Sequence, residues 1–236
     1  MENVIVEAYG IKYVVDAPSA GILNASYEPY ITHTVKLPRD GVFVDVGAHV
    51  GKYAFYAAKQ VEDGLVIAIE PLPQNMINLK AGIKLNNFRN IRTFQVACGA
   101  EEKHIPLFPT DGTTSWKTSH GTGFIIGALM PNTIQVPTRK LDNIIKEVQV
   151  KKIDMIKIDV EQYEYAVLKG SIETLTHYNP ILQIEVWDIN SQKQKVLDFL
   201  ANLNYKISEI LYSYMGDAHP HYQDILFKKN FVTKRF

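Results

Sequence analysis

GVFVDVGAHVGKYAFYAAK, running from Gly41 to Lys59, is the stretch on which the fold turns. Val42 to Val46 is a short β-branched run that suits a buried strand. It leads into Asp45-Val-Gly47-Ala-His49-Val-Gly51, and a helical pattern follows from Gly51 to Gln60. Glycines at 47 and 51 let the backbone turn sharply and approach a ligand with no Cβ in the way. The N–H groups at the start of the helix are expected to face that ligand. Leu65 to Ile69 reads as the next strand, and Glu70 stands at its end, 25 residues after Asp45. A carboxylate at that place can accept hydrogen bonds from both hydroxyls of a ribose.

The chemistry of the turn narrows the ligand. Its spacing is D-x-G-x-x-x-G rather than G-x-G-x-x-G, and Asp45 lies where a pyrophosphate would pass. A carboxylate repels phosphate and attracts an ammonium or a sulfonium. S-adenosylmethionine (SAM) carries a ribose, an adenine, an amino-acid head and a sulfonium. The pattern therefore suits SAM better than NAD.

Strands and helices alternate on either side of this segment, from about residue 42 to residue 228, which is the signature of an α/β fold. Pro73 to Leu85 is a helix with Pro73 in its first turn, and Ile91 to Ala97 is the third strand. Met155 to Ile158 is the fourth, and Tyr163 to Lys169 begins a helix that Gly170 interrupts. Ile181 to Val186 is the fifth. Ser191 to Leu203 is a helix with Val196, Leu197, Leu200 and Leu203 on its apolar face and Ser191 or Asn190 as its cap. Tyr205 to Leu211 and Asp224 to Lys228 close the chain as strands.

Residues 1–40 read as an extension on a domain that spans 41–236. A hairpin from Val4 to Val15 turns at Tyr9-Gly10, and a short helix is expected around Tyr27 to Val35. Residues 109–133, rich in Gly, Thr, Ser and Pro, hold no periodic segment, and a loop of that length is usually functional or disordered.

Composition excludes several classes. Hydrophobic residues make up 46% and charged residues 21%, which fits a globular chain and neither a disordered one nor a coiled coil. The longest apolar run, Phe124 to Met130, is well short of the roughly 18 residues of a membrane span. Met1 to Asp16 carries Glu2, Glu7, Lys12 and Asp16 and is not expected to act as a signal peptide, so the cytoplasm is the expected address. Cys98 is the single cysteine, which excludes intramolecular disulfides and a Cys-based zinc cluster. With 25 basic and 25 acidic residues, the zero net charge argues against a large non-specific nucleic-acid footprint.

VDVGAHVGKY, IEPLPQNMINLKAGIKLNN (Ile69 to Asn87), VPTRKLDNI (Val136 to Ile144) and IKIDVEQYEYAVLKG (Ile156 to Gly170) occur in that order. Together they make the chain, from about Gly41 to Trp187, resemble the FkbM family of SAM-dependent methyltransferases. The resemblance implies a class I methyltransferase fold: a Rossmann-like seven-stranded sheet, last strand antiparallel, with helices on both faces. It also implies O-methylation, typically of a hydroxyl on a sugar or natural product. The family usually has Asp-Val-Glu-Gly-x-Glu at the fourth strand, whereas Gln162 occupies the glycine place here. If that glycine gives room to substrate, Gln162 narrows or repurposes the site.

Through this resemblance Asp45, Gly47 and Gly51 are expected to hold the methionine half of SAM, with His49 a hydrogen bonder inside the turn. Glu70 is expected at the ribose, with Pro71 and Leu72 beside the adenosine and Ala97 and Cys98 at the adenine edge. Cys98 reads as a small apolar wall rather than a nucleophile. Asn75 reads equally well as a surface residue.

Asp159 and Glu161, Glu164 in the turn that follows, and Glu185 and Asp188 form an acidic group at the carboxyl ends of the fourth and fifth strands, where open α/β sheets bind ligands. Asp159 also borders the cofactor. A hydroxyl nucleophile needs its proton removed, so Asp159, Glu161 and Glu185 are the candidate catalytic residues. The same carboxylates suit one Mg²⁺, although no metal ligands are assigned. Lys157 points to the same strand face as Asp159. Trp116 and His120, in a lid expected from Thr110 to Thr122, and Trp187, a stacking platform, are the candidate substrate contacts. The segment Tyr212 to Tyr222, with Asp217, His219 and His221, reads as a hairpin loop near the entrance. The acceptor is expected to be a small molecule or glycan, with an RNA ribose as the second choice and a silent SAM-binding protein as the rival.

Overall fold

The structure, a computed structural model, describes residues 2–109, 116–118, 133–188, 191–211 and 222–230. The N-terminal hairpin forms as read: β1 (Asn3–Ala8) pairs antiparallel with β2 (Ile11–Asp16). Tyr9 and Gly10 both take positive φ, +55° and +64°, in a two-residue turn that matches the twist of the strands. A 3-10 helix at Ala17–Leu23 follows. The helix expected around Tyr27 to Val35 is reduced to one turn, α1 (Ile31–Thr34), because Glu28 stands at φ +51° and Pro29 follows it.

The chain then runs β3 (Val42–Val46), α2 (Lys52–Ala58), β4 (Leu65–Ile69), α3 (Pro73–Leu85), β5 (Ile91–Phe94), β6 (Ala97–Cys98), β7 (His104–Pro109), β8 (Trp116–Thr118), β9 (Ile134–Arg139) and α4 (Leu141–Val148). It continues through β10 (Met155–Ile158), α5 (Glu164–Lys169), α6 (Ile172–Tyr178), β11 (Ile181–Trp187), α7 (Gln192–Asn202), β12 (Tyr205–Leu211) and β13 (Tyr222–Lys229). Seven strands form one sheet in the order β12-β13-β11-β10-β3-β4-β5, and β13 runs antiparallel to both of its neighbours. The Rossmann-like sheet with an antiparallel last strand is thus present. Strand order reverses between β3 and β10, the place where such sheets open a crevice for ligands.

Three expectations change. The third strand ends at Phe94, because its neighbour β4 ends at Ile69 and offers no further partner; Ala97 and Cys98 pair instead with Thr138 and Arg139 of β9. The resulting small sheet, β6-β9-β7-β8, occupies part of a region read as loop. Helix α4 was missed although Leu141, Ile144, Ile145 and Val148 hold the i, i+3, i+4, i+7 spacing. Ser191 precedes α7 at φ +61° and makes no side-chain cap, so the expected capping does not occur there.

The pleat decides where the site lies. Val44 and Val46 of β3, Ile156 and Ile158 of β10, and Leu182, Ile184 and Val186 of β11 all face one apolar core with α4, α5, α6 and α7. Alternate residues point to the other face. There Phe43, Val66 and Met155 join a second core with α2, α3 and the N-terminal Ile11, Tyr13, Val15, Leu23 and Ile31. Towards the carboxyl ends of the strands, that second face stops being apolar. Asp45 stands in register with Lys157, Lys157 with Gln183, and Glu185 with Asp224. All five are buried, so a polar stripe crosses four adjacent strands.

Candidate active site

A cavity of about 360 Å³ opens above this stripe. It gathers Asp45, Gly47 and His49 from the first turn, Glu70 and Pro71 after β4, Ala97 and Cys98 of β6, and Asp159, Glu161 and Glu185 from the far side. Of the residues expected at the cofactor, only Gly51 does not line it.

The two glycines are explained by protein rather than by ligand. A Cβ on Gly47, at φ +89°, would lie 1.8 Å from the carbonyl oxygen of Asp159. One on Gly51, at φ +96°, would lie 2.7 Å from both Leu79 and Phe55. The turn amides are also committed: Gly47 and Ala48 donate to the Ile69 carbonyl at 2.9 and 3.0 Å, and His49 N donates to Glu70 Oε2 at 2.8 Å. The expected row of free N–H groups facing a ligand is therefore absent at 47, 48 and 49.

Glu70 is held from three sides. Besides His49 N, the amide of Leu72 donates to Oε1 at 2.9 Å and Asn75 Nδ2 does so at 3.3 Å. Asn75 is buried and orients Glu70, and so is no surface residue. Burial pushes Glu70 up to about 7 against these stabilising bonds. Burial likewise pushes Asp45 up to about 7, and its Oδ2 is buried with no hydrogen-bond partner. Burial also pushes the Cys98 thiol up to about 12, which suits an inert wall.

The other end is built from charged side chains. Lys157 Nζ donates to Asp159 Oδ2 at 2.7 Å, lies 3.8 Å from Glu28 Oε1 and stacks 4.4 Å from the Tyr53 ring. Burial pulls this lysine down, but the carboxylates of Asp159, Glu28 and Asp224 outweigh it and hold it well above the usual lysine range. Glu28 also accepts from Lys52 Nζ at 3.0 Å. Glu185 is pushed well up by burial and by the charges of Asp159, Glu161 and Asp224. Behind it Asp224 accepts from Tyr30 Oη and from Gln183 Nε2.

Glu28, Lys52, Tyr53 and Asp224 were not read from the sequence as site residues. Lys52 carried a signal, being a lone cation in the first turn of an otherwise apolar helix, where the dipole disfavours it. Asp224, the lone acid of its strand and followed by Ile225, Leu226 and Phe227, carried one too. Glu28 carried none.

Other expected residues stand apart from the cavity. Trp187 does not line it; its Nε1 donates to Glu185 Oε2 at 2.8 Å, so it touches the site through that carboxylate. Glu164 is buried and accepts from the amides of Val160 and Gln162 at 3.3 and 3.0 Å, which makes it the brace of the turn after β10. Gln162 faces a second cavity, not this one, so it does not narrow the space beside Asp159. Asp188 is exposed. The backbone of Trp116 belongs to β8, while its side chain, His120 and the segment with Asp217, His219 and His221 lie outside the described residues. Among the described residues no three His, Cys, Asp or Glu side chains form a set that would hold a metal ion, and no helix is long and apolar enough to cross a membrane.

Residues 45–207 match the family model described as the methyltransferase FkbM domain. "Methyltransferase 1" of Beauveria bassiana (strain ARSEF 2860) is 26% identical over 147 residues, a match that covers 56% of this chain and 59% of that protein. The crystal structure of methyltransferase FkbM from Methylobacillus flagellatus KT superimposes with a TM-score of 0.60 at 17% identity, over 90% of this chain and 55% of that one. M. jannaschii TYW2, solved in complex with AdoMet, superimposes with a TM-score of 0.56 at 16% identity, over 97% of this chain and 87% of that one. The chain thus spans little more than half the length of the first two relatives, and the two solved structures share its fold.

Proposed function

This chain belongs to the FkbM methyltransferase family, and from that premise we propose that it moves a methyl group from SAM to a hydroxyl on a sugar or small natural product. The observation that carries the reading is the bare, buried Oδ2 of Asp45 in the same cavity as Glu70 and the Asp159–Glu161–Glu185 group. The M. jannaschii protein solved with AdoMet shares the fold and supports the same cofactor.

The residues present fit SAM. An ammonium satisfies Asp45 Oδ2, which has no donor of its own. Glu70 Oε1 already accepts from Leu72 N and Asn75 Nδ2, whereas Oε2 accepts from His49 N alone and keeps lone-pair capacity for a ribose hydroxyl. Leu72, Val96, Ala97 and Cys98 line the same cavity and suit an adenine face. The volume of about 360 Å³ lies within the roughly 300–1,000 Å³ of small-ligand sites. When bound, SAM supplies a methyl carbon on a cationic sulfur, and the C–S bonding pair stays with sulfur as the methyl leaves.

The chain's own part is positioning and proton transfer. Lys157 fixes Asp159 at the end of β10, with Glu161 and Glu185 beside it. As the acceptor oxygen forms its bond to carbon, its proton passes to one of these carboxylates. Glu185, whose proton affinity is raised by burial and by its acidic neighbours, suits that task.

Calorimetry with SAM and with NAD, followed by labelled SAM in cell fractions split into RNA, glycan and small-molecule pools, tests the reading. SAM binding with label in glycan or small molecules is expected. Binding of NAD but not SAM overturns the cofactor assignment, and label only in RNA overturns the acceptor. SAM binding with no transfer to any pool identifies a silent SAM-binding protein.

A further inference from the structure

Part of the cavity wall comes from residues that precede the region matched to the family, which begins at residue 45. Pro18, Ile22, Tyr27 and Glu28 all line it. The short segment 27–30 is tied to three elements of the domain. The Tyr27 carbonyl accepts from Lys52 Nζ of α2, and the Tyr27 ring lies 4.7 Å from that ammonium. Glu28 spans Lys52 at 3.0 Å and Lys157 of β10 at 3.8 Å, and Tyr30 Oη donates to Asp224 of β13. The Tyr27 amide donates to the Asn24 carbonyl at 2.9 Å and closes a turn. The Tyr27 side chain is thus held from both sides, at the end of the cavity where Lys157 meets Asp159.

One part of this clamp has no structural task. Among the described residues Tyr27 Oη makes no hydrogen bond, and it is not sealed in the interior. A phenylalanine would fill the same wall and stack on the same ammonium, so packing explains the ring and leaves the hydroxyl over. We propose that Tyr27 binds the acceptor, its hydroxyl donating a hydrogen bond to a second oxygen beside the hydroxyl that is methylated. The acceptor is then a compound with neighbouring hydroxyls, as in a sugar, rather than one with an isolated hydroxyl. The proposal rests on the SAM-dependent reading above and names the acceptor class for that same site.

The two roles of a hydroxyl decide which oxygen Tyr27 meets. The reacting hydroxyl gives its proton to a carboxylate and needs its lone pair for the methyl carbon. A donor bonded to that oxygen would hold the lone pair back. A neighbouring oxygen has no such conflict and can accept from a phenol. Burial pushes the Tyr27 hydroxyl well above the usual phenol range, and the carboxylates of Glu28, Asp159 and Glu185 push it further, against Lys157. It therefore keeps its proton and acts as a donor at neutral pH. The φ of +51° at Glu28 is the backbone strain accepted to hold this segment in place.

The test uses, in serial dilution, the glycan or small-molecule pool that takes label from SAM. Tyr27→Phe keeps the ring and removes only the hydroxyl. The pool concentration giving half the maximal rate should rise roughly 5- to 10-fold, the loss of one hydrogen bond. The maximal rate should stay within about a factor of three and SAM affinity, by calorimetry, within about a factor of two. In the unaltered chain grown with 3-fluorotyrosine, the fluorine resonance that Tyr27→Phe lacks should shift when the pool is added with S-adenosylhomocysteine. Periodate, which cleaves neighbouring hydroxyl pairs, should remove the pool's capacity to take label. An unchanged half-maximal concentration, an unmoved resonance or labelling that survives periodate overturns the proposal and leaves the methyltransferase reading standing. So does a loss of SAM affinity in Tyr27→Phe, which would give the hydroxyl to the cofactor. No label in either pool, with SAM binding intact, overturns both.

Discussion

At one end of the cavity Glu70 is held by the amides of His49 and Leu72; at the other, Asp159 is held by the ammonium of Lys157. The first end is backbone chemistry. Its parts, Asp45 to Asn75, fall within one strand-turn-helix-strand-turn passage, and their positions follow from the local turn and the ends of β3 and β4. The second end is side-chain chemistry assembled from afar: Glu28 reaches Lys52 and Lys157, and Tyr30 reaches Asp224. A site end fixed by main-chain bonds should bind in one geometry and tolerate changes elsewhere. An end fixed by ion pairs should fail when a single charge is removed.

The largest expected effect lies at the charged end. Asp159→Asn and Glu161→Gln keep shape while removing charge, and turnover should fall by about 10²- to 10⁴-fold for at least one of them, the usual consequence of removing a positioned base. SAM affinity should stay near that of the unaltered chain, because neither residue belongs to the amide-held end. Steady-state kinetics with calorimetry separates the two quantities. Turnover within a factor of two in both variants would mean that the acidic group is structural.

At the other end, Glu70→Ala should weaken SAM by roughly 100-fold, since it removes the ribose contact and leaves buried donors unmet. Those donors are His49 N, Leu72 N and Asn75 Nδ2. Calorimetry measures it directly. An unchanged affinity would place the ribose elsewhere and dissolve the contrast between the ends.

How much of each end can be read in the sequence follows from the same contrast. The sheet and most of its strands follow from runs such as Val42 to Val46 and Leu65 to Ile69, because apolar periodicity is local. Asp45 and Glu70 are readable for the same reason. The role of the glycines is not: their φ values were implied, but the Asp159 carbonyl that presses on Gly47 comes from a strand more than a hundred residues away. Glu28 is silent for that reason too, since its meaning depends on Lys157. Trp187 was placed near the site because it follows Glu185, but the bond from its indole N–H to that carboxylate depends on side-chain conformation and is not legible in the chain.

A smaller effect should appear with pH. Asp45 and Glu70 take values of about 7 in the fold against 3.8 and 4.5 as ordinary carboxylates. A carboxyl group raised in the fold binds more protons folded than unfolded, so its stabilising contribution is complete below about pH 4 and is lost as pH rises through about 7. The free protein should therefore melt at higher temperature at pH 6 than at pH 8. SAM binding has the opposite sign, because an ammonium needs Asp45 ionised. Affinity should weaken roughly 10-fold between pH 8 and pH 6, and Asp45→Asn, though a weaker binder throughout, should flatten that dependence. A flat profile in the unaltered chain would mean that Asp45 is ionised throughout this range.

The smallest effect concerns the turn that carries the charged end. Glu161 and Gln162 stand at φ +53° and +75°, consecutive left-handed residues that only the surrounding structure can impose. Glu164 imposes it, accepting from the amides of Val160 and Gln162. Gln162 is buried, its Oε1 has no hydrogen-bond partner, and it occupies the place where the family usually has glycine. A left-handed conformation costs an L-residue about 1–2 kcal/mol, whereas glycine adopts it freely and gives back about 0.5–1 kcal/mol through the unfolded chain. Gln162→Gly should therefore stabilise the protein by about 1 kcal/mol and raise Tm by roughly 2–4 °C. Because Gln162 faces the second cavity, turnover should stay within about a factor of two of the unaltered chain, in contrast to its neighbour Glu161. Thermal melts and kinetics on the same preparation decide it. A clear loss of stability would show that the Gln162 side chain packs more than it strains, and a large change in turnover would carry the active site past Tyr163 into the second cavity.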